Sequence, residues 1–298
     1  MFTSNAITGD FPESNKEAAM HEGTVNTNGV RIWYAEHGDP QHPAVILIPG
    51  ATATADAFLP EYYEPIVHAG FRVIRIDNRD IGRSEWINYG ANPYTIEDMA
   101  ADIVGVMDAL GIERAHLIGT SMGGMIAQTV ALRWPQRVLT LTSQCSSPGA
   151  SDPSLPGMSE EIMQLAKVSL SEDPEERVEQ RLRLFRALCG SRFPFDEKAR
   201  RDQFRREIEV ASNPNSAHGR VVQESPSRLH ALDELKIPTL IIHGTEDPVI
   251  PYQHAVAMAK AIPGATLYPM EGCGHEIPLP LYPEITAAVV RHLRSVSG

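Results

Sequence analysis

Basic residues are in short supply: 26 Lys and Arg face 38 Asp and Glu, for a formal net charge of −12. Proteins that bind nucleic acid or anionic membrane gain affinity by neutralising phosphates, so this balance argues against both as partners. Cysteine is equally sparse. Cys145, Cys189 and Cys273 are too few and too scattered for a disulfide framework, and none sits in a CxxC pair, so a zinc or redox centre has no support. No apolar run approaches the roughly 18 residues needed to span a bilayer. The opening MFTSNAITGDFPESNKEAAM is polar and lacks the apolar core of a secretory signal. Residues 1–22 read as a disordered extension, with Met20 an alternative start, and a cytoplasmic location is the expectation. HExxH, a Walker loop and a strand-borne GxGxxG are all missing. Metal, nucleoside triphosphate and dinucleotide therefore lack a handle, and neither cofactor nor metal is expected.

What the chain does have is alternation. Short β-branched runs at Val30–Glu36, Ala44–Ile48, Phe71–Ile76, Ala115–Ile118, Val138–Thr142, Thr239–His243 and Ala265–Tyr268 read as strands, the first as an antiparallel edge. Continuous apolar runs of about five residues suit strands covered on both faces. Helical patterns at Ala55–His68, Thr95–Leu110, Met122–Arg133 and Tyr252–Ala261 lie between them, the second opening on a capping-box-like Thr95 and Asp98. This is the pattern of an α/β fold with a mostly parallel, doubly wound sheet. The alternation stops between about Pro148 and Leu235, where the chain is Ser/Pro-rich, then charged and helical. Two core segments, 23–147 and 236–298, thus flank a helical insertion at 148–235. It reads as a lid over the carboxyl ends of the strands, where α/β folds bind ligands. Its apolar positions Ile162, Met163, Leu165, Leu182, Phe185 and Leu188 are expected to face the site, favouring a hydrophobic acyl group in a small-molecule ester.

Gly119-Thr120-Ser121-Met122-Gly123 directly follows a strand and opens a helix. A serine hydroxyl is a poor nucleophile unless it is held out of the fold and partnered by a base. A strained strand-to-helix turn presents it, and that turn demands small residues two before and two after. An acid and a histidine should follow in that order from later strands. Asp247, in Gly-Thr-Glu-Asp-Pro, and His275, in Gly-Cys-Gly-His, occupy those places, with Glu246 the rival acid and His243 and His254 read as structural or exposed. Acyl transfer also needs donors for the developing oxyanion. The N–H of Met122 follows the nucleophile, and that of Ala51 lies in the Pro49-Gly50-Ala51-Thr52 turn. The charged block Asp77–Ser84 is expected to tie its loop beneath the nucleophile turn. Cys273 is expected to be a small buried residue rather than a thiol nucleophile.

From roughly Gly23 onward these residues resemble the α/β-hydrolase superfamily. DNRDIGRS, IGTSMGG, HGTEDPVIP and GCGH resemble its esterase branch that includes aclacinomycin methylesterase-type enzymes, which remove a methyl ester from a polyketide without a cofactor. The resemblance implies Ser121, Asp247 and His275 as triad, with Ala51 and Met122 as oxyanion donors. It departs at Pro49-Gly50, where many relatives have His-Gly. Serine at 121 argues against the dehalogenase and epoxide-hydrolase branches, which place aspartate there. The expectation is a serine hydrolase cleaving a methyl ester of a bulky hydrophobic acid through an acyl-enzyme on Ser121. A general short-chain carboxylesterase, a carbon–carbon bond hydrolase or a perhydrolase would share the triad. A non-catalytic ligand receptor is the alternative of a different class.

Overall fold

The computed structural model describes residues 20–149, 152–211 and 213–296. Eight strands form one sheet: β1 (Met20–Thr27), β2 (Val30–His37), β3 (Ala44–Ile48), β4 (Arg72–Ile76), β5 (Ala115–Thr120), β6 (Val138–Gln144), β7 (Thr239–Gly244) and β8 (Thr266–Met270). Their spatial order is β1-β2-β4-β3-β5-β6-β7-β8, with β2 antiparallel to both neighbours and every later pairing parallel. Every residue of β3, β6 and β7 is buried, as their continuous apolar runs require.

Two expectations change at the amino end. Of the proposed extension, residues 1–19 lie outside the described residues, while residues 20–22 already belong to β1. Because β1 takes the sheet edge, β2 becomes an interior strand. The two join through Asn28-Gly29, both with positive φ (48° and 78°), the two-residue turn whose twist suits a hairpin.

Helices α1 (Pro60–His68) and α9 (Tyr282–Leu293) cover one face; α2 (Ile96–Ala109), α3 (Met122–Arg133) and α8 (Gln253–Ala261) cover the other. The side chains of β3 alternate between the two cores. Val45 and Leu47 meet Tyr62, Ile66 and Ile285, whereas Ile46 and Ile48 join Ile103, Ile126 and Met258. The helix expected over Ala55–His68 is broken into a 3-10 turn at Ala55–Ala57 and α1, because Pro60 forces Leu59 into extended backbone (ψ 156°). Thr95 does cap α2: its hydroxyl accepts from Asp98 N–H, and the Asp98 carboxylate accepts from Thr95 N–H at 2.8 Å.

Between β6 and β7 run α4 (Glu160–Ala166), α5 (Pro174–Leu188), α6 (Glu197–Ala211) and α7 (His218–Glu224). Leu182 and Phe185 do not form an apolar ceiling. They pack inside the block against α6, Leu182 in a cluster with Phe204 and Ile208, Phe185 with its ring centroid 4.7 Å from that of Phe204. Two amphipathic helices must bury their stripes against something, and here they bury them against each other. Met163 remains largely exposed.

Candidate active site

Parallel pairing brings the carboxyl ends of β3, β5, β7 and β8 to one edge, where four loops converge. Between β5 and α3, Ser121 adopts φ 53° and ψ −119°, a conformation that side chains rarely take. The turn is feasible only because its flanks are glycine. A Cβ on Gly119 would stand 2.2 Å from the Gly123 carbonyl oxygen, and one on Gly123 2.0 Å from that of Ile48. The backbone is pinned from β6 and the residues after it: Ser121 N–H donates to Gln144 O at 2.8 Å, and Ser146 Oγ donates to Ser121 O at 2.7 Å.

His275 stands with Nε2 3.1 Å from Ser121 Oγ and Nδ1 2.7 Å from Asp247 Oδ2. The carboxylate only accepts, so Nδ1 carries the proton and the bare Nε2 faces the serine hydroxyl. Asp247 is fully enclosed. Its Oδ1 accepts from Val249 and Ile250 N–H at 2.9 Å each, and His243 Nε2 lies 3.2 Å from its Oδ2. Burial alone would raise the Asp247 pKa, but His275 and His243 outweigh it and hold the carboxyl well below the ordinary carboxylate range. The group is a fixed anion at neutral pH, suited to orienting an imidazole and stabilising its protonated form.

The turn after β3 lies against Ser121: a Cβ on Gly50 would stand 3.3 Å from Ser121 Cβ. Among the described residues, neither the Ala51 nor the Met122 N–H is engaged by an acceptor. The charged block supports this turn and not the Ser121 turn. Asn78 Nδ2 donates to Pro49 O at 3.1 Å, and Asp77 Oδ1 accepts from Ala55 N–H at 2.7 Å. Arg79 runs away from the site into a bidentate pair with Asp102 of α2, at 2.6 Å for both bonds.

Glu246 faces elsewhere. Its carboxylate accepts from Ser191 N–H at 2.7 Å and Ser191 Oγ at 2.8 Å. The end of α5 and the segment after it also touch the histidine loop, since His275 N–H donates to Leu188 O at 3.0 Å and Arg192 N–H to Gly272 O at 2.8 Å. Arg200 of α6 adds an ion pair with Glu276 at 2.8 Å. Cys273 is buried, and burial raises its thiol pKa. His254 is not exposed: it is buried with Nε2 2.8 Å from Pro156 O. The contact of His243 with Asp247 escapes sequence reasoning, although its place one turn before the acid loop is a usable hint.

A family model described as alpha/beta hydrolase fold matches residues 43–280. The chain is 32% identical to a rhodomycin D methylesterase from Streptomyces peucetius, over 92% of this chain and 98% of that one. It is 30% identical to a 2-hydroxy-6-oxononadienedioate/2-hydroxy-6-oxononatrienedioate hydrolase from Paraburkholderia phymatum, over 83% of this chain and 85% of that one. An esterase from Rhodococcus sp. ECU1013 shares the fold, with a TM-score of 0.78 at 20% identity over 93% of this chain and 99% of that one. With the family model spanning most of the sequence, and with Ser121, Asp247 and His275 all inside it, the chain belongs to the α/β-hydrolase fold family.

Proposed function

We propose that the chain is a carboxylic ester hydrolase that works without a cofactor, through an acyl-enzyme on Ser121. The observation that carries this reading is the continuous Ser121–His275–Asp247 hydrogen-bond chain beside two unengaged N–H groups. In the first half-reaction His275 takes the Ser121 proton as Oγ attacks the ester carbonyl. The N–H groups of Ala51 and Met122 receive the oxyanion, and His275 returns the proton to the departing alkoxide. Water then repeats the sequence on the acyl-enzyme and releases the acid. Residues 148–235 serve as the lid over this site.

The substrate is a methyl ester of a bulky hydrophobic acid. Similarity to the rhodomycin D methylesterase over nearly the full length of both chains supports this. A carbon–carbon bond hydrolase is the second reading, favoured by the 30% identity to the oxononadienedioate hydrolase. A panel at equal concentration separates them: methyl esters of ring-bearing acids, p-nitrophenyl esters from acetate to octanoate, and a vinylogous diketone acid. Turnover of the bulky methyl esters at the highest kcat/KM is expected. Inert bulky methyl esters with active short-chain esters would leave a general carboxylesterase, and preferential cleavage of the diketone would replace ester hydrolysis altogether.

A further inference from the structure

The oxyanion turn is held by a residue of the helical insertion that no sequence motif singles out. Thr52 has φ 58°, in a turn closed by Ala53 N–H donating to Gly50 O at 3.3 Å. A β-branched residue rarely takes that conformation unless its surroundings impose it. Here Thr52 N–H donates to Nδ1 of His218 at 3.0 Å, while Nε2 of the same ring lies 2.7 Å from the Arg79 carbonyl oxygen. A carbonyl only accepts, so Nε2 holds the proton and Nδ1 is bare. The ring is fully buried, and that burial disfavours its charged form.

The residues leading into His218 are fixed as firmly. Asn213 Nδ2 and Ala217 N–H each donate to the Asp80 carboxylate at 2.8 Å, and that carboxylate also accepts from Tyr94 Oη at 2.8 Å. Asp80 is fully buried. The imidazole therefore stands on a rigid platform between the β4 loop and the turn after β3.

We propose that His218 is a positioning residue for the oxyanion hole. Its bare Nδ1 fixes the Ala51–Thr52 peptide and, through it, keeps the Ala51 N–H aimed at the carbonyl bound over Ser121. The proposal rests on the serine-hydrolase reading above, and it makes the insertion part of the oxyanion turn as well as a cover.

Two substitutions divide the ring's functions. In His218→Asn the side-chain oxygen replaces the Nδ1 acceptor and the bond to Arg79 is lost. In His218→Gln the amide nitrogen replaces the Nε2 donor and the acceptor for Thr52 is lost. With p-nitrophenyl acetate, His218→Gln should lower kcat roughly 10-fold to 100-fold, less than or equal to deletion of one oxyanion donor, with KM within about twofold. His218→Asn should restore most of the wild-type kcat at a comparable Tm. Equal losses in both variants, or an unchanged kcat in His218→Gln, would overturn the positioning role while leaving the hydrolase reading intact. Wild-type protein that hydrolyses no ester and leaves Ser121 unlabelled by a fluorophosphonate would overturn both. Imidazole nitrogen shifts of His218 in the wild-type protein give a readout free of folding effects: a bare Nδ1 with protonated Nε2 is expected, and the opposite tautomer contradicts the proposal.

Discussion

Asp247 accepts hydrogen bonds from its own loop and from His275 of the histidine loop, with His243 at the end of β7 beside it, a convergence that suits it to orient His275. Replacing it by asparagine keeps the volume but puts an amide that can donate where the His275 Nδ1–H points. Asp247→Asn should fold and should lose about 10⁴-fold in kcat, because His275 no longer holds the tautomer that leaves Nε2 bare. A loss of less than tenfold, measured with p-nitrophenyl acetate, would show that something else sets the tautomer. Ser121, Asp247 and His275 were legible in the sequence because each stands in a short glycine-bearing phrase just after a strand. His218 was not. Its partners are the N–H of Thr52, 166 residues away, and the carbonyl of Arg79, and backbone groups leave no mark on residue identity.

Among the elements, the strands of the parallel sheet were the most readable, since burial on both faces leaves uninterrupted apolar runs. β1 was missed because its sequence, MHEGTVNT, alternates weakly; the Asn28-Gly29 turn signal was the better guide. Between β6 and β7 the described residues form helices α4 to α7, in the stretch where the sequence pattern loses its strand signal. Leu182 and Phe185 depart from the expectation because a sequence cannot say whether a helical stripe meets a neighbour helix or a ligand, and α5 and α6 meet each other. The strand–turn–helix unit around Ser121 makes a sharper prediction. Gly123→Ala would set a Cβ 2.0 Å from the Ile48 carbonyl, so α3 must move off β3. Destabilisation of about 1–3 kcal/mol or more is expected from such overpacking, read by urea unfolding. Gly157→Ala, with nothing within 4 Å of the new methyl, serves as the control. Equal stability of the two variants would contradict the argument.

At the scale of the whole molecule, one sheet with a core on each face carries the site along the edge where its strands end, and no described helix is long and apolar enough to cross a membrane. Stability of that double core should depend on pH through His116 of β5, buried against Phe71 and bonded through Nδ1 to Thr140 Oγ1 at 2.8 Å. Burial, then the nearby His292 and Arg114, lowers its pKa from 6.5 to about 4. Between those values the unfolded chain binds a proton that the folded chain refuses, so stability is complete above pH 6.5 and falls as pH drops toward 4. The contribution is up to about 3 kcal/mol. Urea unfolding across that range should show wild type losing this much more than His116→Gln, and a constant difference between the two would remove His116 as the cause. The proposed chemistry is cleavage of an ester through a covalent acyl group on Ser121. Rapid acid quenching of the enzyme during turnover of p-nitrophenyl acetate, followed by intact-mass and peptide analysis, would trap that group. One acetyl group per chain is expected, on the peptide that contains Ser121, with neither adduct nor turnover in Ser121→Ala; hydrolysis that persists in Ser121→Ala, or an acetyl group residing on Cys273, would overturn the acyl-enzyme on Ser121.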